Sequence, residues 1–159
     1  RQAPEARLRI GGYLGSQHEP YFFRELDRLK AAQVLVEHIG SPATVAEKVE
    51  FLKTIDVLSV PTEFQEPKGL YILEAMANGI PVVQPAHGAF PEHLERTHGG
   101  LLVPPRDPVG LSQGLLRMAE PEIRHRYSQQ GWLGVREHYH ASLLAKRTIE
   151  AVEEVSASR

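Results

Sequence analysis

The sequence predicts an α/β protein, a parallel β-sheet covered by helices on both faces. Short runs rich in Val, Leu and Ile alternate with longer segments whose apolar residues recur at helical spacing. No hairpin signal joins consecutive runs, so the strands need helical crossovers. The run Val57-Leu58-Ser59-Val60 is apolar enough for burial on both faces, as parallel sheets require.

Residues 1–5, with Pro4, read as a frayed start. Leu8-Arg9-Ile10 begins a strand that ends at Gly11-Gly12, and residues 13–20 form a loop. An amphipathic helix follows over residues 21–32, with Phe22, Leu26 and Leu29 on one side and Tyr21, Phe22 and Phe23 read as core. The second strand is Val34-Leu35-Val36-Glu37-His38-Ile39, closed by Gly40-Ser41-Pro42. Thr44 caps the next helix and Glu47 completes a capping box; Val45, Val49 and Leu52 line that helix to about residue 54. The third strand is residues 57–60.

Residues 66–83 give a loop, a helix and a fourth strand at 81–84 in immediate succession. Pro67 keeps Glu66 out of helical geometry, Gly69 frees the backbone at the helix start, and Asn78-Gly79 stops the helix before Pro81. The fifth strand is Leu101-Leu102-Val103. Asp107-Pro108 opens a helix in cap-then-proline order, through Leu111, Leu115 and Met118. Pro121 opens another over 122–137, with Trp132 packed on the body, and the last helix, 141–155, offers Leu144, Ile149 and Val152 as contacts.

Composition bounds the function. The chain has 159 residues, read as one domain with its C-terminal helices at 120–159, and a net charge of −2, which gives no reason to invoke nucleic acid. No apolar run approaches the roughly 18 residues of a membrane span. No transmembrane segment is expected, while peripheral membrane contact of a longer parent stays open. Zero cysteines exclude disulfides and fit a cytoplasmic protein. His87, His93 and His98 cluster without ligand spacing, so no metal is expected. His87 reads either as a ligand contact or as a surface or backbone-bonded histidine. No G-x-S-x-G element is present, and Ser59 in a buried strand is a poor nucleophile.

Glu66 precedes a helix N-terminus and Glu74 lies within that helix. A helix N-terminus offers unpaired N–H groups and partial positive charge, a seat for phosphate. Carboxylates flanking it suit a ligand anionic at its centre and rich in hydroxyls at both ends, as a nucleotide-sugar is. The competing reading is that both glutamates merely favour a helix start and its solvated face.

The run Glu66-Pro-Lys-Gly-Leu-Tyr-Ile-Leu-Glu74-Ala-Met-Ala-Asn-Gly-Ile-Pro-Val-Val resembles the E-x7-E signature of retaining glycosyltransferases of family 4, the glycosyl transferases group 1. Ile55-Asp56-Val57-Leu58-Ser59-Val60-Pro61-Thr62 resembles the family's "aDvfvlPS" segment. Gly88-Ala89-Phe90-Pro91-Glu92 resembles its "GGipE" turn, and residues 99–108 its "tGlLvppgDp" segment.

The resemblance implies the C-terminal, donor-binding half of a GT-B fold, a Rossmann-like sheet. It implies transfer of a hexosyl group from a UDP- or GDP-linked sugar to an unidentified acceptor, with the anomeric configuration retained, no metal and no tightly bound cofactor. By resemblance Glu74 accepts from the ribose hydroxyls and Glu66 from the donor sugar. The N–H groups around Gly69 and Leu70 face sugar and diphosphate, and backbone near Ile39 and Gly40 meets the base. Lys68 departs from the family's frequent phenylalanine and reads either as a cation near the phosphates or as a solvent-facing side chain. Gly88 is followed by Ala89 where the family has a second glycine.

The family's first strand and helix, with an Arg and a Lys that grip the diphosphate, have no counterpart here, nor does the N-terminal Rossmann-like domain. The missing strand would lie mid-sheet in the usual order. The expectation is a piece inactive alone whose partner is that N-terminal domain. The alternatives are a non-catalytic nucleotide-binding or interaction module, a sugar-nucleotide epimerase, or a phosphorylase-like protein, the last disfavoured because no lysine suggests a pyridoxal phosphate site.

Overall fold

Helix caps and short apolar runs set the elements of this chain, whose computed structural model describes residues 5–157. The expected frayed start falls, up to residue 4, outside the described residues. The chain forms two compact units, Arg1–Ile55 and Asp56–Arg159.

In the first unit, β1 (Arg7–Ile10) and β2 (Leu35–His38) pair in parallel, Arg7 opposite Leu35 and Ile10 opposite His38. Between them runs α1 (Glu19–Ala31), preceded by a single 3-10 turn at Ser16–His18. The helix α2 (Val45–Leu52) starts as a capping box: Glu47 N–H donates to Thr44 Oγ1 at 3.1 Å, and Ala43 N–H donates to the Glu47 carboxylate at 2.7 Å. Leu26 and Leu52 are the buried hydrophobic residues of this unit among those described.

In the second unit, β3 (Val82–Pro85) pairs in parallel with β4 (Gly100–Val103). The helices are α3 (Leu70–Ala77), α4 (Phe90–Thr97), α5 (Pro108–Met118), α6 (Pro121–His138) and α7 (Ala141–Ala157). Val83, Val103 and Met118 centre one core, with Val57, Leu101, Leu111, Leu115 and Tyr127 packed around them. Ile72, Met76, Phe90 and Leu94 are also buried. Gly134 lets α6 lie close on its neighbour, since a Cβ there would come within 2.5 Å of Thr97 Cα. That approach explains a residue that otherwise weakens a helix by about 1 kcal/mol. Asp107 caps α5, accepting from Val109 N–H at 3.1 Å and Gly110 N–H at 2.9 Å.

Several expectations need correction. Residues 57–60 make a single bridge, Leu58 to Val82, rather than a strand. Past Leu58 side chains replace the ladder: Ser59 Oγ donates to Val83 O at 2.7 Å, and Val60 N–H donates to Gln84 Oε1 at 3.2 Å. The turn expected at 88–92 continues into α4, with Pro91 in its first turn. Tyr21 and Phe23 are exposed and Phe22 half-buried, so this trio is not core. Trp132 is 38% exposed, covered by the Arg136 guanidinium 3.9 Å above its ring. Leu144, Ile149 and Val152 on α7 are exposed. Helix α1 begins at Glu19 and α2 ends at Leu52, shifts of the size that fraying ends produce. Among the described residues no helix is long and apolar enough to cross a membrane.

Candidate functional site

The stretch from Glu66 to Glu74 folds as a short turn over residues 66–69 followed by the first residues of α3. Gly69 is the N-cap residue in left-handed geometry, φ 56°, which a side chain would strain. Glu66 Oε1 accepts from Lys68 N–H and Gly69 N–H, both at 3.2 Å. The carboxylate that the sequence offers as a ligand contact therefore also caps its own turn. Leu70 and Tyr71 follow in the first helical turn, where N–H groups have no intrahelical acceptor.

Residues 87–93 form the floor under this turn. Gly88 adopts φ 58°, and a Cβ there would stand 2.6 Å from Glu66 O and 2.8 Å from Glu66 N. Ala89 N–H donates to Glu66 O at 2.8 Å, and Gly88 N–H to Gln65 Oε1 at 3.0 Å. His87 is buried and its Nε2 bonds Thr62 O at 2.8 Å, which makes it a backbone-bonded histidine. His93, also buried, places Nε2 2.7 Å from Lys68 O and Nδ1 2.7 Å from the Tyr139 hydroxyl. The rings of Phe90 and His93 lie where a Cβ on Gly69 would meet them at 3.1 and 3.6 Å.

The structure thus brings Glu66, Lys68, Gly69, Leu70 and Gly88 into one neighbourhood of the second unit. Glu74 is half-buried on α3, one residue before the buried pair Ala75 and Met76. The Lys68 side chain is exposed. Ile39 and Gly40 belong to the first unit: Ile39 N–H donates to Ile10 O at 3.0 Å, and Gly40, at φ 73°, accepts from Gly12 N–H at 2.9 Å. His93 and Tyr139 were not singled out as site residues from the sequence. They lie 46 positions apart, and no local spacing relates them.

Electrostatics tie Tyr71 to the same turn. Burial, and after it the Glu66 charge, push its phenol up to about 12. Burial likewise raises Tyr139. Among the described residues, the buried side-chain atoms Tyr71 Oη, Gln84 Nε2 and His87 Nδ1 have no hydrogen-bond partner. Among the described residues no group of three or more His, Asp or Glu side chains is gathered as metal ligands.

The profile of the family described as "Glycosyl transferases group 1" matches residues 1–121. A phosphatidyl-myo-inositol mannosyltransferase of Mycobacterium leprae is 34% identical over 127 residues, covering 78% of this chain and 34% of that protein. A D-inositol 3-phosphate glycosyltransferase of Corynebacterium aurimucosum is 34% identical over 63% of this chain and 24% of its own length. The chain therefore matches 24% to 34% of the length of these relatives. In three dimensions, sucrose-phosphate synthase from Thermosynechococcus elongatus aligns at TM-score 0.81 and 24% identity, over 99% of this chain and 40% of that one. Anabaena HepE, solved in complex with UDP, aligns at TM-score 0.82 and 16% identity, over 95% and 42%. These neighbours are GT-B glycosyltransferases, and the chain has the fold of their C-terminal-like half.

Proposed function

The chain belongs to the glycosyl transferases group 1 family, and from that premise we propose that it is the donor-binding domain of a retaining hexosyltransferase. The single observation that carries this reading is the pinned turn at Glu66, whose carboxylate is held at the mouth of a helix N-terminus with Glu74 on the same helix. In this reading Glu74 accepts from the ribose hydroxyls and Glu66 from the donor sugar. The N–H groups around Gly69 and Leu70 face the sugar and diphosphate, and Lys68 adds a cation.

The chemistry is a group transfer. The bond between the anomeric carbon and the diphosphate oxygen breaks, and its electron pair leaves with the nucleoside diphosphate. An acceptor hydroxyl bonds the anomeric carbon on the same face and passes its proton to the departing diphosphate oxygen. Charge grows on the leaving diphosphate, where oriented N–H groups and a helix N-terminus contribute about 1 to 4 kcal/mol. That Anabaena HepE was solved with UDP, and with UDP and glucose, supports a nucleoside-diphosphate sugar as donor. The proposed partner is an N-terminal Rossmann-like domain that contributes the acceptor side, and the proposed location is cytoplasmic.

One observation favours a second reading. Glu66 Oε1 already accepts two backbone N–H groups, which is what a purely structural cap would do. The second reading is a non-catalytic nucleotide-binding module of the same fold.

Turnover of UDP-glucose and GDP-mannose by the intact protein separates the two. Donor use predicts release of UDP or GDP, a product of unchanged anomeric configuration by its anomeric proton coupling, and a Glu66→Gln variant that loses transfer more than it loses nucleotide binding. Nucleotide binding without turnover would establish the module instead.

A further inference from the structure

We propose that His93 and Tyr139 are positioning residues for the Glu66 carboxylate, acting through the peptide between Lys68 and Gly69. The inference rests on the donor-site reading above. That peptide unit is held at both of its polar groups. Its carbonyl, on Lys68, bonds His93 Nε2 at 2.7 Å, and its N–H, on Gly69, bonds Glu66 Oε1 at 3.2 Å. A planar trans peptide points these two groups in opposite directions, so fixing one fixes the other.

The protons can be assigned from chemistry. A carbonyl only accepts, so His93 Nε2 must carry hydrogen toward Lys68. In the neutral ring Nδ1 then accepts, and the Tyr139 hydroxyl 2.7 Å away donates to it. Burial raises Tyr139 and keeps that phenol protonated. The result is one directional series: Tyr139 hydroxyl to His93 Nδ1, His93 Nε2–H to Lys68 carbonyl, Gly69 N–H to the Glu66 carboxylate. Bonds in such a series polarise one another in the same sense.

The arrangement bears on function because the two bonds to the carboxylate are long, 3.2 Å each. Bonds of that length aim a carboxylate only if the amides themselves are held. His93 is 8% exposed, and its ring packs against the Gly69 position alongside Phe90, so the peptide has little room to rock while that ring is in place. Remove the imidazole and the Lys68 carbonyl loses its partner, the peptide can rotate, and Glu66 loses its aim without losing its charge.

The test uses the intact protein with UDP-glucose and GDP-mannose, comparing His93→Leu, His93→Gln, Tyr139→Phe and Glu66→Gln. His93→Leu is expected to lower kcat about tenfold, with KM for the donor and Kd for the bare nucleotide changed less than about twofold. His93→Gln, whose amide can still donate to Lys68, is expected to recover most of the loss. Tyr139→Phe is expected to lower kcat about twofold to fivefold. If Leu at 93 prevents folding, Tyr139→Phe, which removes one oxygen, decides. A folded Tyr139→Phe or His93→Leu with wild-type kcat overturns the inference, as does a loss that Gln does not recover and that nucleotide binding shares equally. If Glu66→Gln itself leaves transfer intact, the donor-site reading falls and this inference falls with it. If Glu66→Gln abolishes transfer and the His93 and Tyr139 variants do not lower it, only this inference falls.

Discussion

In Arg1–Ile55 the parallel pair β1 and β2 leaves Leu8 and Leu35 exposed, whereas in Asp56–Arg159 every residue of β3 is buried. Both units follow the same local grammar of strand, crossover and capped helix. They differ in what covers the strands. The second unit surrounds β3 with residues of β4, α5 and the 57–60 segment, and stacks α3 and α4 against α6. The first unit relies more on local devices: the capping box at Thr44, and the Arg9 guanidinium bonded to Glu37 at 2.8 Å and also to Thr54. Local sequence is enough to write an element, and burial needs further layers. The Glu66 turn belongs to the packed unit, where a site can be held on rigid elements.

The largest expected effect separates the two units. Phe90→Ala, at a fully buried ring under the Glu66 turn, should cost about 3 to 5 kcal/mol, while Leu35→Ala, half exposed, should cost about 0.5 kcal/mol or less. Denaturant unfolding followed by fluorescence of Trp132, the single tryptophan, reads the second unit directly. Equal shifts from both substitutions would erase the distinction.

Next comes Gly88→Ala. It forces a side chain into left-handed backbone and against the Glu66 peptide, a cost of about 1 to 3 kcal/mol. Native-state hydrogen exchange should show the Ala89 amide losing protection first, since it donates to Glu66 O. Unchanged protection there would mean that the turn does not depend on this close approach.

Caps should ignore the difference between the units. Thr44→Ala and Asp107→Ala each remove a side-chain acceptor at a helix start and should each cost about 1 kcal/mol in thermal unfolding. A much larger cost at Asp107 would show that capping also depends on the surrounding core.

The smallest effect is a pH dependence. Tyr71 is raised from 10.0 to about 12 by burial and by Glu66. The unfolded chain releases this proton near its ordinary pKa, before the folded one does. The stability Tyr71 contributes is therefore intact below about pH 10 and is lost as the pH rises toward 12. Denaturation midpoints across that window should fall less steeply in Tyr71→Phe than in the wild type, and parallel profiles would contradict the assignment.

Much of this fold was legible in the sequence because its signals are local. Thr44 with Glu47 and Asp107 with Pro108 announced their helices, and the Glu66-to-Val83 run announced loop, helix and strand together. The helix α4 was also written there, in Phe90, Leu94 and Thr97 at helical spacing with Pro91 in the first turn, but a turn reading of 88–92 hid it. The segment 57–60 has the composition of a buried strand, and only the partners of Ser59 and Val60 show why its ladder stops. Burial of the α1 aromatics was not legible, since an amphipathic stripe says what could be covered and nothing about what covers it. In the site, the glutamates and glycines could be read from one continuous run. The support beneath them could not: Gly88 against Glu66 and Tyr139 against His93 are contacts between distant positions.

Calorimetric titration of the intact protein with UDP, GDP and ADP and their glucose or mannose conjugates, repeated on Glu74→Ala, tests the central claim most directly. The donor site predicts selective binding of one nucleotide and an affinity reduced at least about tenfold in the variant, the loss expected when hydrogen bonds to a charged group disappear. No nucleotide bound, or binding indifferent to Glu74→Ala, would contradict it.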